Sequence, residues 1–210
     1  MSLPRLYPIT DRLLSGLSHA EQVARLSEGG ARLVQLREKH LSPREFYSEA
    51  EEALKVARAR GVRLVINDRA DIALALGADG VHLGQDDMPP LAARALLGDK
   101  AIIGFSTHSV EQAVGAARLP IDYVAIGPVF ATSSKDNPDA VVGLEGVRGV
   151  REVLGPIPLV AIGGVTRERA RAVLEAGADS VAVLSALLPS RDPAEITRRT
   201  RFFLAELLDE

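Results

Sequence analysis

Two carboxylates, Asp68 and Asp87, and two cations, Arg37 and Lys39, stand just beyond short apolar runs in this 210-residue chain. Such a pair of hard oxygen donors suits Mg²⁺, which takes one or two carboxylates and fills its remaining positions with substrate phosphates and water. A side-chain period of two puts Gln35, Arg37 and Lys39 on one face of their segment and Val34 and Leu36 on the other. If the apolar face meets helices, the polar face enters a cavity, and two cations there are costly without an anion. A phosphate or diphosphate answers that cost, because arginine clamps phosphate oxygens in a bidentate way. The structural alternatives are a charge network among Arg37, Glu38 and Lys39, and helix capping by Asp68 or Asp86.

Other segments extend this chemistry. Gly163-Gly164 and Ser185 come after later apolar runs, where backbone N–H groups and a helix N-terminus suit a second phosphate. Thr132-Ser133-Ser134-Lys135 supplies three hydroxyls and a cation within 130–143, the longest stretch without periodic patterning. A loop of that length in a compact domain is usually functional or disordered. His82 lies inside an apolar run and reads as a hydrogen-bonded interior histidine. His108 is a candidate ligand contact, and His40 lies too far out to join Arg37 and Lys39. The chain has no cysteine, so thiolate metal sites, a Cys nucleophile and disulfides are excluded, and the spread of the histidines argues against a zinc site.

The elements that must position these groups are legible as an alternation. Apolar runs at 6–9, 33–36, 64–66, 80–83, 101–105, 123–126, 159–162 and 180–184 are separated by helix-like stretches at 20–28, 43–60, 70–76, 91–97, 110–118, 144–154, 167–176 and 193–208. Ser42, Thr166 and Asp192 are expected N-caps, and glycines such as Gly61 and Gly77 stand where helices should stop. Strict strand–helix alternation implies a parallel sheet. Eight units in one domain spanning 1–210 predict an α/β fold, a (β/α)₈ TIM barrel. An open doubly wound sheet is the runner-up, but its first turn would be Gly-rich, and Ile9-Thr10-Asp11-Arg12 is not. The segments just after the eight runs carry the polar groups: Thr10-Asp11-Arg12, Arg37-Glu38-Lys39, Asn67-Asp68-Arg69, Gly84-Gln85-Asp86-Asp87, Ser106-Thr107-His108, Gly127-Pro128, Gly163-Gly164 and Ser185. Barrel enzymes carry their active sites at that rim.

Bulk properties agree. A formal net charge of −3 offers no sign of a nucleic-acid or acidic-membrane partner. No apolar run approaches the roughly 20 residues of a membrane helix, and the N-terminus lacks a signal-peptide core. A cytoplasmic location and small-molecule substrates are expected, and a homo-oligomer is compatible with the sequence.

In order along the chain, the rim segments resemble one family. Tyr7-Pro8-Ile9-Thr10-Asp11, Gln35-Leu36-Arg37-Glu38-Lys39, Asn67-Asp68-Arg69, 79–87, 104–108, Asp122-Tyr123, Gly127-Pro128 to Thr132, Lys135, and Ala161-Ile162-Gly163-Gly164-Val165 are together similar to the thiamine-phosphate synthases. The resemblance implies two substrates, hydroxymethylpyrimidine diphosphate and a thiazole with a phosphoethyl arm. It also implies loss of diphosphate and capture of a pyrimidine methyl cation by the thiazole nitrogen. By position, Gln35, Leu36, Arg37, Glu38, Lys39, Asn67, Ser106 and Lys135 should hold the pyrimidine diphosphate, and Asp68 and Asp87 Mg²⁺. Thr132, Ser133, Ser134, Gly164, Leu184 and Ser185 should hold the thiazole phosphate. Arg37, Lys39, Ser106 and Lys135 are the candidate catalytic residues. Such chemistry needs leaving-group charge neutralised rather than a protein nucleophile. Ser134 stands where the family often has a second Thr. The related thiazole tautomerases sometimes carry a His at the position of Pro128. A non-catalytic regulator is the remaining alternative, against which the intact Arg37, Lys39, Asp68, Asp87 and Lys135 count.

Overall fold

The computed structural model describes residues 2–132, 139–188 and 192–208. Strands β1 (Leu6–Thr10), β2 (Leu33–Leu36), β3 (Arg63–Asn67), β4 (Gly80–Leu83), β5 (Ile102–Thr107), β6 (Tyr123–Ile126), β7 (Leu159–Ile162) and β8 (Ser180–Val183) pair in parallel and in sequence order. The barrel closes where Tyr7 of β1 pairs with Ala182 of β8. Around it run α1 (Arg12–Ser15), α2 (His19–Glu28), α3 (Pro43–Ala59), α4 (Ala70–Leu76), α5 (Pro90–Leu97), α6 (Val110–Ala116), α7 (Gly143–Leu154), α8 (Arg167–Glu175) and α9 (Pro193–Leu208). The expected barrel is therefore the observed one, and the open sheet is not.

Two layers of apolar side chains hold it together. Leu6, Val34, Leu36, Leu64, Ile66, Val81 and Ile126 face the helices in the larger core. Tyr7, Ile9, Leu33, Val65, Ile102, Tyr123 and Val160 fill the interior. The alternation along β2 is thus as expected, with Leu36 outward and Gln35 inward.

Local signals account for most helix starts. Ser42 forms a full capping box with Glu45 at α3, and Ser18 does the same with Glu21 at α2. Asp192 accepts a hydrogen bond from the Ala194 amide at the start of α9, 2.9 Å. Thr166 occupies the N-cap position of α8, but its side chain makes no capping bond. Its hydroxyl turns to Glu168, whose carboxyl is held below its usual range by its own backbone N–H and then by Thr166. The short α1 was not expected. Asp11 caps it through the Leu14 amide, and Gly16 ends it at φ 67°. Strand β5 runs two residues past its expected end at 105, so Ser106 belongs to the ladder and points inward like Gln35.

The interior is tight. A Cβ added to Gly80 would lie 2.0 Å from the carbonyl oxygen of Ile102 on the neighbouring strand. Gly80→Ala is therefore expected to destabilise the barrel by about 2 kcal/mol, the usual cost of overpacking, read as a lower urea midpoint at unchanged slope.

Candidate active site

At the C-terminal ends of the strands opens a cavity of about 450 Å³. Its lining brings together Gln35, Arg37, Lys39, Asn67, Asp68, Asp87, Ser106, Thr132, Gly164, Leu184 and Ser185. Leu36 and Glu38 do not line it. Leu36 is fully buried in the helix-facing core. The Glu38 carboxylate turns back to accept from the amides of His40 (2.8 Å) and Leu41 (3.3 Å) and to meet His19 Nε2 at 3.3 Å. Burial pushes the Glu38 carboxyl up, but these donors outweigh it and hold it below the usual range. Ser133, Ser134 and Lys135 lie outside the described residues.

The two cations are not waiting for an anion, contrary to the simple charge argument. Arg37 donates to Asp11 Oδ2 at 2.8 Å, and Lys39 to Asp68 Oδ2 at 2.5 Å. The network expected within the segment 37–39 is therefore replaced by partners from the ends of β1 and β3. Thr10 steadies the same segment, its Oγ1 accepting from the Arg37 amide at 3.4 Å and meeting His19 Nδ1 at 2.8 Å.

Asp68 has the one positive φ among described non-glycine residues, 63°. Such a conformation costs on the order of 1 kcal/mol or more and tends to persist at functional sites. Asp68 caps no helix, since the N-cap of α4 is Arg69, which makes no side-chain capping bond. Asp86 does not cap α5 either, whose N-cap is Pro89. Asp87 accepts from the Gly84 amide at 2.6 Å. Burial, then the neighbouring Asp68, push the Asp87 carboxyl above its ordinary value, against the Gly84 bond and Lys39. Two adjoining carboxylates with unbalanced negative charge make a donor set that a cation would relieve. Among the described residues no cluster of three or more His, Cys, Asp or Glu is arranged around a metal.

Across the barrel, β7 leads into Gly163 (φ 100°) and Gly164 (φ 62°). A Cβ on Gly164 would lie 2.5 Å from the Ala131 carbonyl oxygen, so only glycine admits this approach. The chain after β6 is tied to the turn by Val129 N–H to Ile162 O (2.8 Å) and Phe130 N–H to Gly163 O (2.9 Å). Arg169 fastens the same corner, donating to Gly164 O at 3.2 Å and stacking over Phe130 at 4.7 Å. Thr132 is thereby brought to the cavity beside Gly164.

His82 also lines the cavity. Its ring lies between the Tyr123 hydroxyl (2.9 Å) and Ser106 Oγ (2.8 Å). Burial pushes its pKa down to about 4, so it is neutral at physiological pH. His108 faces the cavity with Nδ1 2.6 Å from Gly127 O. Sequence reasoning assigned no site role to Asp11, His19, Tyr7 or Tyr123. Asp11 stands on the expected rim after β1, and the two tyrosines stand in segments that resemble the family, each a polar ring at an inward position of an apolar run. His19 carries no signal, because its partners are set across the fold.

The family model described as thiamine monophosphate synthase matches residues 6–187. The chain belongs to the thiamine monophosphate synthase family. A thiamine-phosphate synthase of Chloroflexus aurantiacus is 46% identical over 94% of this chain and 91% of its own length. One from Koribacter versatilis is 50% identical over 90% of each chain. The solved thiamine phosphate pyrophosphorylase of Pyrococcus furiosus superposes with a TM-score of 0.84 at 38% identity, covering 98% of this chain and 97% of that one. These likenesses span the whole barrel, so both walls of this cavity lie within the shared region.

The strained, like-charged carboxylates of this family member predict a stability trade-off. A carboxyl whose folded pKa is raised costs stability when ionised. That cost is present above the raised value and vanishes as the pH falls below the ordinary value of 3.8. Asp87→Asn, which can still accept from the Gly84 amide, is expected to raise the thermal midpoint at neutral pH in a chelator. The gain should shrink toward acid. A lower midpoint at neutral pH would contradict this.

Proposed function

We propose that this chain is a thiamine-phosphate synthase, joining 4-amino-2-methyl-5-hydroxymethylpyrimidine diphosphate to 4-methyl-5-(2-phosphoethyl)thiazole with release of diphosphate. The observation that supports the reading is one cavity with two facing walls of different chemistry. Arg37, Lys39, Asp68 and Asp87 occupy the β2–β4 wall, and Gly163, Gly164 and Ser185 the β7–β8 wall. In a closed eight-stranded ring β3 stands opposite β7, so a diphosphate and a phosphate can bind at once without sharing donors.

We assign Asp68 and Asp87 as protein ligands of one Mg²⁺, whose charge would help neutralise the departing diphosphate. Arg37 and Lys39 contribute to that task, exchanging or sharing their present carboxylate partners with diphosphate oxygens. Lys135, three residues after Thr132 in the sequence, is assigned to the same leaving group. Gln35, Asn67 and Ser106 hold the pyrimidine. Thr132, Ser133, Ser134, Gly164, Leu184 and Ser185 hold the thiazole phosphate. The C–O bond to diphosphate breaks with its electron pair leaving on oxygen, and the thiazole nitrogen supplies the pair for the new C–N bond. No protein nucleophile is used in this reading, and the cysteine-free sequence excludes a thiolate one. We place the reaction in the cytoplasm. No helix among the described residues is long and apolar enough to cross a membrane.

The decisive assay supplies both substrates with Mg²⁺ and measures thiamine phosphate. Asp68→Asn and Asp87→Asn are expected to lower kcat/KM by at least roughly a hundredfold, about 2.7 kcal/mol, as for loss of a charge-stabilising group. The residual activity should need more Mg²⁺. Full activity and unchanged metal dependence in both variants would remove the metal assignment. Rapid thiazole isomerisation without condensation would assign the cavity to a tautomerase, for which His108 is the ionisable group at hand. Gly164→Ala should raise the KM for the thiazole phosphate far more than that for the pyrimidine diphosphate. Equal effects would contradict two separate walls.

A further inference from the structure

Five polar side chains from five strands form a continuous chain through the barrel interior. Gln35 Nε2 lies 3.4 Å from the Tyr7 hydroxyl, which lies 3.1 Å from the Tyr123 hydroxyl. That hydroxyl lies 2.9 Å from His82 Nδ1, and His82 Nε2 lies 2.8 Å from Ser106 Oγ. Both tyrosines are fully buried, and Gln35 and His82 nearly so. The rings are held by packing. Tyr7 meets Tyr123 edge to face at 5.9 Å and 82°, and His82 stacks on Tyr123 at 5.6 Å and 16°. Strand β5 makes room for this crossing at Gly104, where an added Cβ would lie 2.0 Å from Tyr123 Cζ and 2.3 Å from its oxygen.

Counting hydrogens gives the chain a direction. The Gln35 NH₂ group can only donate, each hydroxyl has one hydrogen, and a neutral imidazole has one N–H. With Gln35 donating to Tyr7, Tyr7 must donate to Tyr123, and Tyr123 to His82 Nδ1. The imidazole proton then sits on Nε2 and goes to Ser106 Oγ. Ser106 keeps its own hydrogen, and no other described partner takes it. Turning the Gln35 amide over reverses every bond. Ser106 would then direct its hydrogen to His82 and offer the cavity only lone pairs.

We propose that Tyr7 and Tyr123 are positioning residues that transmit the proton order set at Gln35, so that Ser106 donates its hydroxyl hydrogen to an acceptor atom of the bound substrate. Neither tyrosine lines the cavity, so both act through His82 and Ser106. The role of Ser106 toward substrate rests on the synthase reading, whereas the proton order belongs to the ligand-free protein and does not.

The test has two arms. In the first, the ligand-free full chain is labelled with ¹⁵N-histidine, and long-range ¹⁵N–¹H correlations report each ring tautomer near neutral pH. The His82 signals are those lost in His82→Gln. The expected result is the Nε2–H form for His82, and the Nδ1–H form would overturn the proposal without reference to any activity. In the second arm, Tyr123→Phe keeps the ring and removes the hydroxyl. It is expected to lower kcat about tenfold, the effect of losing one neutral hydrogen bond, and by less than about twofold in a Ser106→Ala background, because residues acting through one another are not additive. Equal losses in the two backgrounds would mean that the Tyr123 hydroxyl acts independently of Ser106, and would overturn the proposal. If the wild-type protein makes no thiamine phosphate, the synthase reading fails, and the tautomer decides the proton order by itself.

Discussion

The pairing of β1 with β8 is the contact on which the rest depends. Until Leu6, Tyr7 and Pro8 align with Val181, Ala182 and Val183, the strands form an open sheet with two edges and no cavity. Closure sets β3 across from β7 and makes one chamber of eight strand ends. It also encloses a narrow interior that must be filled at native density. Small residues such as Gly80 and Gly104 yield space there, and Tyr7 and Tyr123 occupy it. A buried phenol needs a hydrogen-bond partner, so filling the barrel with tyrosines also lays a polar path toward its mouth.

The rim is governed by charge. Arg37 and Lys39 are held by Asp11 and Asp68, and Glu38 is committed to His19 and two backbone amides. The cations are thus already positioned by carboxylates, which under the proposed function would limit the reorganisation needed on binding phosphate oxygens. Partial burial and the neighbouring Asp68 raise the Asp87 carboxyl, so ionising it costs stability. A site built from strained Asp68 and like-charged Asp87 is a poor choice for folding and a good one for holding a cation with a polyanion.

The two walls differ in chemistry. The β2–β4 wall offers side-chain charge, which under the proposed function would meet a diphosphate whose negative charge grows as it departs. The β7–β8 wall offers a turn of two left-handed glycines, which under the same proposal would anchor a phosphate. Arg169, stacked on Phe130 and bonded to Gly164, joins the Gly163-Gly164 turn to the segment that leads to Thr132.

Much of this was legible in the sequence. Alternating apolar runs and helical stretches determine a parallel sheet of eight strand–helix units, because strand and helix periods are local properties, and the count of eight points to a barrel. The same period of two determines that Gln35, Arg37 and Ser106 face inward and Leu36 outward, given where the strands lie. Chain order alone puts Asp68 and Asp87 on neighbouring strand ends. Only the tertiary structure decided which partners these groups take. Arg37 pairs with Asp11 rather than with its own neighbours, Glu38 leaves the cavity for His19, and Tyr7 reaches Tyr123, 116 residues away. A periodic pattern records the face a residue presents, whereas a partner across the barrel is fixed by register and closure, which no local pattern encodes.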